Sequence, residues 1–191
     1  SDKTIEIATE LGVRVLFVEN PSRPKQLNAG AKLATAPLLY FVHADTLPPK
    51  EYANQILAAA ADENTFGSFR FHFDSNRREL RLNSWCTRLP VMIVRGGDQS
   101  LFISRKLFDK LDGYREDHIV MEDYDIIRRG KKFAKFSILQ DDVIVSARKY
   151  EDNPYWKVNI SNFIVFTLYY LGMSPDKLSG LYKRLIRHPK A

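Results

Sequence analysis

The 191-residue sequence has a single cysteine, Cys86, and no long hydrophobic run. One cysteine excludes an internal disulfide. The longest apolar stretch, residues 163–173, is about half of the roughly 20 residues that a helix needs to cross a bilayer, which excludes a transmembrane helix there. No signal peptide is recognisable, so the cysteine content favours a reducing, cytoplasmic location.

The rest of the composition is that of a globular domain with a basic excess. Hydrophobic residues make up 45% of the sequence and charged residues 27%, which excludes a disordered or fibrous chain. The formal net charge is +6. A positive balance favours polyanionic partners, which include nucleotide diphosphates, anionic lipid surfaces and nucleic acid. Charge alone does not choose among them.

Helical and strand patterns alternate along the first half of the sequence. This alternation predicts an α/β fold with a parallel sheet covered by helices. Apolar runs at residues 13–18 and 38–43 predict two strands, and a helical pattern at residues 24–35 lies between them. The second run passes directly into Asp45.

Asp45 lies at the predicted carboxyl end of a buried strand, the edge where open α/β sheets bind ligands. Its carboxylate is the kind of ligand that Mg²⁺ or Mn²⁺ prefers, and His43, two residues earlier, lies on the same face of the strand. Because one acid binds such an ion weakly, substrate phosphates would have to complete the shell. Simpler interpretations are a loop cap for Asp45 and a hydrogen-bonded core histidine for His43.

A second acidic cluster, Glu122 and Asp123, opens a predicted helix at residues 122–129. Carboxylates in the first turn of a helix are stabilised by the helix dipole, by about 0.3–1 kcal/mol, so a structural role is one interpretation. The other is a general base, which must be anionic and within reach of the proton it removes. Together with Asp45, the cluster suggests a metal-assisted transferase.

Residues 153–191 predict a helical extension, amphipathic and basic, that follows a catalytic domain at residues 1–152. Such an extension packs on the core with a solvated basic tail, or attaches to the interface of a membrane. A stripe of arginines on a predicted helix at residues 76–89 is likewise either a solvated face or a grip for phosphates.

Five short motifs occur in the order and spacing of family 2 glycosyltransferases with the GT-A fold. They are RPKQLNAG at 23–30, FVHADT at 41–46, GDQ at 97–99, MED at 121–123 and SAR at 146–148. The sequence looks most like a bacterial subgroup that writes its metal motif as His-Ala-Asp. The resemblance implies a GT-A fold, with a mixed, mainly parallel sheet flanked by helices, N-terminally incomplete and with C-terminal helices.

The resemblance also implies roles for individual residues. Asp45 would bind the Mg²⁺ or Mn²⁺ that bridges the donor diphosphate, with His43 in a position often held by an acid. Asp123 would deprotonate the acceptor hydroxyl for an inverting attack on the anomeric carbon. The residues expected near the donor nucleotide and sugar, or between donor and acceptor, are Arg23, Gln26, Asn28, Asp98 and Gln99. The ion would act as a Lewis acid on the departing nucleoside diphosphate.

The implied function is transfer of a sugar from a nucleotide-diphospho-sugar to a hydroxyl acceptor, which is lipid-linked or near the membrane. The expected location is cytoplasmic, at the inner face of the membrane, with peripheral contact through the C-terminal helices. In the family, a strand, a helix and a second strand precede the helical pattern at residues 3–11. The chain is therefore expected to lack its nucleoside-binding strands, and activity of these residues alone stays an open question.

Two alternatives from other classes stay open. One is a catalytically silent GT-A-like module that only binds sugar nucleotides or partner proteins. The other is a basic nucleic-acid-binding domain, based on the interleaving of Arg70, Phe71, Phe73, Arg77 and Arg81. Nucleic acid is the less favoured partner, because these aromatic residues alternate with the strand period and some must face the core.

Overall fold

The computed structural model describes residues 3–62 and 64–186, which form helices around one mixed sheet. The helices are α1 Thr4–Glu10, α2 Arg23–Leu33, α3 Tyr52–Ala60, α4 Arg78–Cys86, α5 Arg105–Lys110, α6 Glu122–Gly130, α7 Tyr155–Tyr170 and α8 Pro175–Leu185. The strands are β1 Leu38–Phe41, β2 Thr46–Leu47, β3 Thr65–Phe73, β4 Leu101–Ser104 and β5 Lys135–Val145. Short 3₁₀ turns lie at Met92–Val94, Gly97–Gln99 and Arg148–Tyr150.

The strand order in the sheet is β1-β4-β3-β5-β2. Among the described residues, three of the four strand pairings are antiparallel, and only β3 with β5 is parallel. The predicted mixed sheet is confirmed, whereas the expectation of a mainly parallel one is wrong for these strands. The alternation of helix and strand does not fix strand direction. Here β4 inserts between β1 and β3, although it follows both in sequence, and runs opposite to each.

Both faces of the sheet are covered by helices. Successive side chains of a strand point to opposite faces, so one strand can contribute to a core on each side. On β4, Leu101 and Ile103 point into a core formed with α2, α5 and α6. Phe102, between them, points into a second core formed with α3, α4 and α7. A third apolar cluster joins Met121 to α7 and α8.

Residues 13–18, predicted as a strand, take no regular secondary structure. Phe17 is 76% exposed, and none of the described strands pairs with this segment. A strand needs hydrogen bonds to a neighbouring backbone, so an apolar run without such a neighbour does not form one. This prediction is therefore wrong for the structure described.

The C-terminal segment folds into α7 and α8, whose buried side chains include Val158, Val165 and Leu178. The predicted extension is helical as far as it is described, and residues 187–191 of its basic tail lie outside the described residues. Within residues 3–62 and 64–186, no helix combines the length and apolar character that crossing a bilayer requires.

Candidate active site

A cavity of about 500 Å³ lies where β1 and β5 end and α6 begins. Its charged lining residues are Arg23, Asp45, Asp98, Glu122, Asp123, Arg148, Lys149 and Lys183. Each of the five sequence motifs contributes at least one side chain to this cavity. Segments separated by up to about 120 residues of sequence therefore meet at one place, as a binding site at a sheet edge requires.

The first turn of α6 brings Glu122 and Asp123 into the wall of the cavity, where both are nearly buried. Met121, just before the helix, has a left-handed backbone with φ 72°. This conformation costs a residue other than glycine roughly 1–2 kcal/mol and persists where the surroundings impose it, often at functional sites. The Met121 side chain is buried in the apolar cluster with Val165 and Leu178, which fixes the direction in which α6 starts.

Burial dominates the electrostatics of these two acids. Burial raises the pKa of Glu122 to about 7, with the charge of Asp123 adding to the rise and the Arg23 guanidinium opposing it at 3.1 Å. Burial also raises the pKa of Asp123, against the charges of His43 and Arg23. A carboxylate with a raised pKa is a stronger base than one in water, so this pair suits proton transfer near neutral pH.

We expect the Glu122→Gln substitution to flatten the pH dependence of stability. Because the pKa of Glu122 rises from 4.5 to about 7, the folded state holds a proton that the unfolded state has released between those values. The free energy of unfolding therefore falls as pH rises through this window. Urea titrations at pH 5 and pH 8 should show a smaller fall for the variant than for the unchanged protein.

The exposed Glu151 provides the matched control, and Glu151→Gln should keep the original pH dependence. An unchanged fall in Glu122→Gln would contradict the shifted pKa of this side chain.

His43 lies beside Asp98, which lines the cavity, with 3.7 Å between Nδ1 and the nearer carboxylate oxygen. Burial alone would lower the pKa of His43, but the nearby carboxylates of Asp98 and Asp123 outweigh burial and raise it. The same contact with His43 lowers the pKa of Asp98. His43 is thus engaged by an acid, which makes it a weaker candidate for a metal ligand than its sequence position suggests.

Asp45 is exposed to the cavity, and its backbone carbonyl accepts a hydrogen bond from the Ser146 amide at 3.2 Å. In the described part of the chain, no group of three or more His, Cys, Asp or Glu side chains could hold a metal ion. The protein side chains alone therefore do not supply a complete set of metal ligands. This donor set fits an ion of the Mg²⁺ type, which takes one or two carboxylates and fills its remaining positions with water and substrate phosphates.

Two of the predicted donor-binding residues form hydrogen bonds with the framework. The Asn28 side chain accepts from the Tyr114 amide at 2.9 Å and donates to the Tyr114 carbonyl at 2.8 Å, which fastens α2 to the loop after α5. Gln99 is 1% exposed, and its side-chain oxygen accepts from the buried Arg95 at 2.7 Å. Gln99 therefore anchors the turn that presents Asp98. Gln26 is exposed and does not line the cavity.

The structure adds basic residues to the site that the sequence analysis did not select. Arg148 and Lys149, in the 3₁₀ turn after β5, and Lys183, on α8, line the same cavity as the acids. Lys149 donates a hydrogen bond to the Tyr182 hydroxyl of α8. Arg148 belongs to the SAR motif, so the sequence pointed to its segment. Lys183 belongs to no motif, and it reaches the cavity only because α8 packs there.

The surface proposed for nucleic acid is neutralised by acidic neighbours. Arg70 is paired with Asp142 at 3.0 Å, and Arg77 with Glu79 at 2.6 Å. Phe73 is buried in the second core. The interleaved arginine and aromatic residues therefore do not form a free basic and stacking surface.

A buried ion-pair network holds α6 in place behind the site. Asp125 is fully buried, and Arg129 donates to it at 2.6 Å and to the Gly113 carbonyl at 2.8 Å. The Tyr169 hydroxyl of α7 also contacts Asp125, at 3.3 Å. These contacts connect the helix that carries Asp123 to the loop after α5 and to α7.

We expect Arg129→Ala to lower the free energy of unfolding by about 3 kcal/mol, since removal of one partner leaves a buried charge with weaker compensation. Arg128 contacts the same carboxylate at 3.3 Å but is 47% exposed, so Arg128→Ala should cost less than about 1 kcal/mol. Urea unfolding of both variants measures the difference. Equal losses of unfolding free energy in the two variants would contradict a larger contribution from the buried pair.

The fold matches the GT-A class of glycosyltransferase structures. It is similar to Mannosyltransferase PcManGT from Pyrobaculum calidifontis in complex with GDP-Man and Mn²⁺, with a TM-score of 0.62 and 14% identity, over 95% of this chain and 56% of that chain. S. aureus TarS 1–349 gives a TM-score of 0.58 and 15% identity, over 97% of this chain and 58% of that one. The TarS complex with UDP gives the same values.

The sequence matches the glycosyl transferase family 2 pattern over residues 1–129, and the chain belongs to that family. A search of curated protein sequences gives no significant match. At 14% and 15% identity, the likeness to solved structures establishes the fold alone. The chain spans just over half the length of these structures, 56% and 58%.

Proposed function

We propose that this cavity binds a nucleotide-diphospho-sugar and that its residues transfer the sugar to a hydroxyl acceptor with inversion. The observation that carries the proposal is the meeting of Asp45, Asp98 and Asp123 with Arg148 and Lys149 in one cavity. A sugar transferase needs a base for the acceptor and positive charge for the departing diphosphate. This arrangement offers both.

The basic side chains suit the diphosphate of the donor. Arg148, Lys149 and Lys183 come from two separate elements and line the same cavity. Charge-assisted hydrogen bonds from guanidinium and ammonium groups to phosphate oxygens are stronger than neutral ones. As the bond between the sugar and the diphosphate breaks, negative charge grows on the leaving oxygen, and fixed positive charge beside it stabilises the transition state.

Asp123 is proposed as the base. Its carboxylate takes the proton of the acceptor hydroxyl, and the acceptor oxygen forms a bond to the anomeric carbon. The bond from that carbon to the diphosphate oxygen breaks, and its electron pair leaves with the nucleoside diphosphate. A single displacement of this kind inverts the anomeric configuration. Burial of Asp123 raises its pKa, which strengthens it as a base.

The residue proposed to hold a divalent ion is Asp45, and Asp98 lines the same cavity. When bound, Mg²⁺ or Mn²⁺ would supply Lewis-acid stabilisation of the diphosphate. Without the ion, the cationic side chains of the cavity still compensate part of the diphosphate charge.

Two solved neighbours support this class of donor. PcManGT is described in complex with GDP-Man and Mn²⁺, and TarS in complex with UDP. The proposed catalytic unit includes the C-terminal helices, because Asn162 of α7 and Tyr182 of α8 line the cavity. The acceptor proposed here is lipid-linked, and a surface that favours this choice is described below.

Titration calorimetry with GDP and with UDP, each with Mn²⁺ and with a chelator, tests donor binding. We expect affinity for at least one diphosphate that weakens when the ion is removed. Release of free nucleoside diphosphate from a panel of nucleotide-sugars, followed by chromatography, tests turnover. Failure to bind any nucleotide diphosphate under both conditions would refute the proposal, whereas binding without turnover would support the silent, nucleotide-binding alternative.

A further inference from the structure

The outer sides of α4 and α7 carry exposed apolar side chains that include both tryptophans of the chain. Trp85 is 55% exposed and Trp156 is 71% exposed. We call this surface the tryptophan face, and its members are Leu82, Trp85, Leu89, Trp156, Ile160 and Phe163. Each is at least 38% exposed. Large exposed apolar groups in one region indicate an interaction surface rather than ordinary surface residues.

The two helices contact each other and pack on the same core, so their outer sides are neighbours on the surface. Asn83 of α4 accepts a hydrogen bond from the Tyr155 hydroxyl at 2.7 Å and donates to the Asn159 side chain at 3.0 Å. On α7 the exposed apolar residues Trp156, Ile160 and Phe163 recur at spacings of four and three, so they form a single stripe. On α4, Leu82 and Trp85 are three residues apart, and Leu89 lies in the turn that follows the helix. The buried stripe of each helix faces the core, for example through Leu80 and Val158.

The charges carried by α4 and α7 themselves are mainly positive, whereas the exposed acids Glu151 and Asp152 lie in the turn before α7. α7 has one charged residue, the exposed Lys157, along its sixteen residues. On α4, Arg78 and Arg81 are exposed, and the one acid, Glu79, is paired with Arg77. An apolar surface with basic residues at its border complements the headgroups and acyl chains of an anionic bilayer.

We propose that the tryptophan face docks this protein on the surface of an anionic lipid bilayer. Tryptophan prefers the boundary between headgroups and hydrocarbon, where its ring is buried and its N–H stays hydrated. A second copy of the chain fits less well, because a self-complementary contact would bring Arg81 and Lys157 of both copies together. The docking inference goes beyond the proposed transfer reaction and does not depend on it.

The position of α7 gives the docking a consequence for the acceptor, which does rest on the proposed function. Asn162 and Val165 of α7 line the cavity, while Ile160 and Phe163 belong to the tryptophan face. A helix with its side chains is about 10 Å across, so a bilayer on one side of α7 lies within reach of the cavity on the other. A lipid-linked hydroxyl could enter the site without leaving the membrane.

Tryptophan fluorescence provides a direct test, because the only tryptophans in the sequence, Trp85 and Trp156, belong to the face. The 191-residue protein is mixed with phosphatidylcholine vesicles, with or without phosphatidylglycerol. We expect a blue shift of the emission and co-sedimentation with the anionic vesicles, both weaker in high salt. The double variant Trp85→Ala with Trp156→Ala should lower the fraction sedimented at a given lipid concentration at least tenfold.

Phe17→Ala is the matched control, since Phe17 is 76% exposed but lies outside the face. It should sediment like the unchanged protein. Absence of both shift and sedimentation with anionic vesicles would overturn the proposal, as would equal sedimentation of the double variant. A blue shift that depends on protein concentration without lipid, with a dimer in sedimentation equilibrium, would assign the face to a second copy. Nucleotide binding, measured separately, tests the transfer reaction alone.

Discussion

Asp123→Asn is expected to abolish sugar transfer while leaving nucleotide binding unchanged. The amide has the same size as the carboxylate but cannot accept the acceptor's proton. General-base catalysis contributes about 10²–10⁴-fold to rate, so kcat should fall by that factor. Initial rates of nucleoside diphosphate release measure kcat, and calorimetry measures the affinity for the nucleotide.

Asp109→Asn on α5 is the control, because this aspartate is exposed and does not line the cavity. Full turnover in Asp123→Asn would remove the base assignment and leave nucleotide binding intact. Loss of nucleotide affinity in the same variant would assign Asp123 to donor binding rather than to proton transfer.

The pH profile gives a second check on the base. Because burial raises the pKa of Asp123, kcat/KM should increase with pH through a value above the ordinary 3.8 of an aspartate. The carboxylate is then active above that value and protonated below it. A profile that is flat from pH 4 to pH 8 would contradict a role for this group in the free enzyme.

Asp45→Ala is expected to remove the dependence of nucleotide affinity on the divalent ion. In the unchanged protein, Mn²⁺ should strengthen binding of a nucleoside diphosphate. In the variant, affinities with Mn²⁺ and with chelator should be nearly equal, because the exposed carboxylate of Asp45, in the turn between β1 and β2, is gone. Loss of a supporting group near a metal already costs about 10–100-fold in metal affinity, and loss of a direct ligand should cost at least as much.

Calorimetry with and without Mn²⁺ measures this effect independently of turnover, and Asp109→Ala provides the control. Retention of the full Mn²⁺ dependence in Asp45→Ala would show that another group holds the ion. Asp98→Ala would then test the other aspartate of the cavity that lies next to His43.

The sequence predicted segments that meet at one cavity in the structure. Asp45 follows an apolar run, and Asp123 opens a helix, so both could be placed at the ends of secondary structure elements that meet at a sheet edge. Arg23 and Asp98 were predicted near these two acids only from the family motifs in which they occur. In the structure these four residues line one cavity.

The direction of individual side chains could not be predicted in the same way. Asn28 and Gln99 lie in motifs that reach the site, but their amides satisfy buried polar groups of the framework, Tyr114 and Arg95. A motif gives the position of the backbone, whereas burial of neighbouring donors and acceptors decides where an amide turns. Lys183 shows the opposite case, because it belongs to no motif and reaches the cavity only through the packing of α8.

Met121 also constrains how this protein can vary. A glycine would relieve the left-handed backbone, yet it would remove the side chain that packs against Val165 and Leu178. The same residue thus sets the entry angle of α6 and locks that helix to the last two helices of the chain. Substitutions tolerated there should conserve unbranched apolar bulk, and an engineered protein shortened before α7 should lose the alignment of its base along with its C-terminal segment.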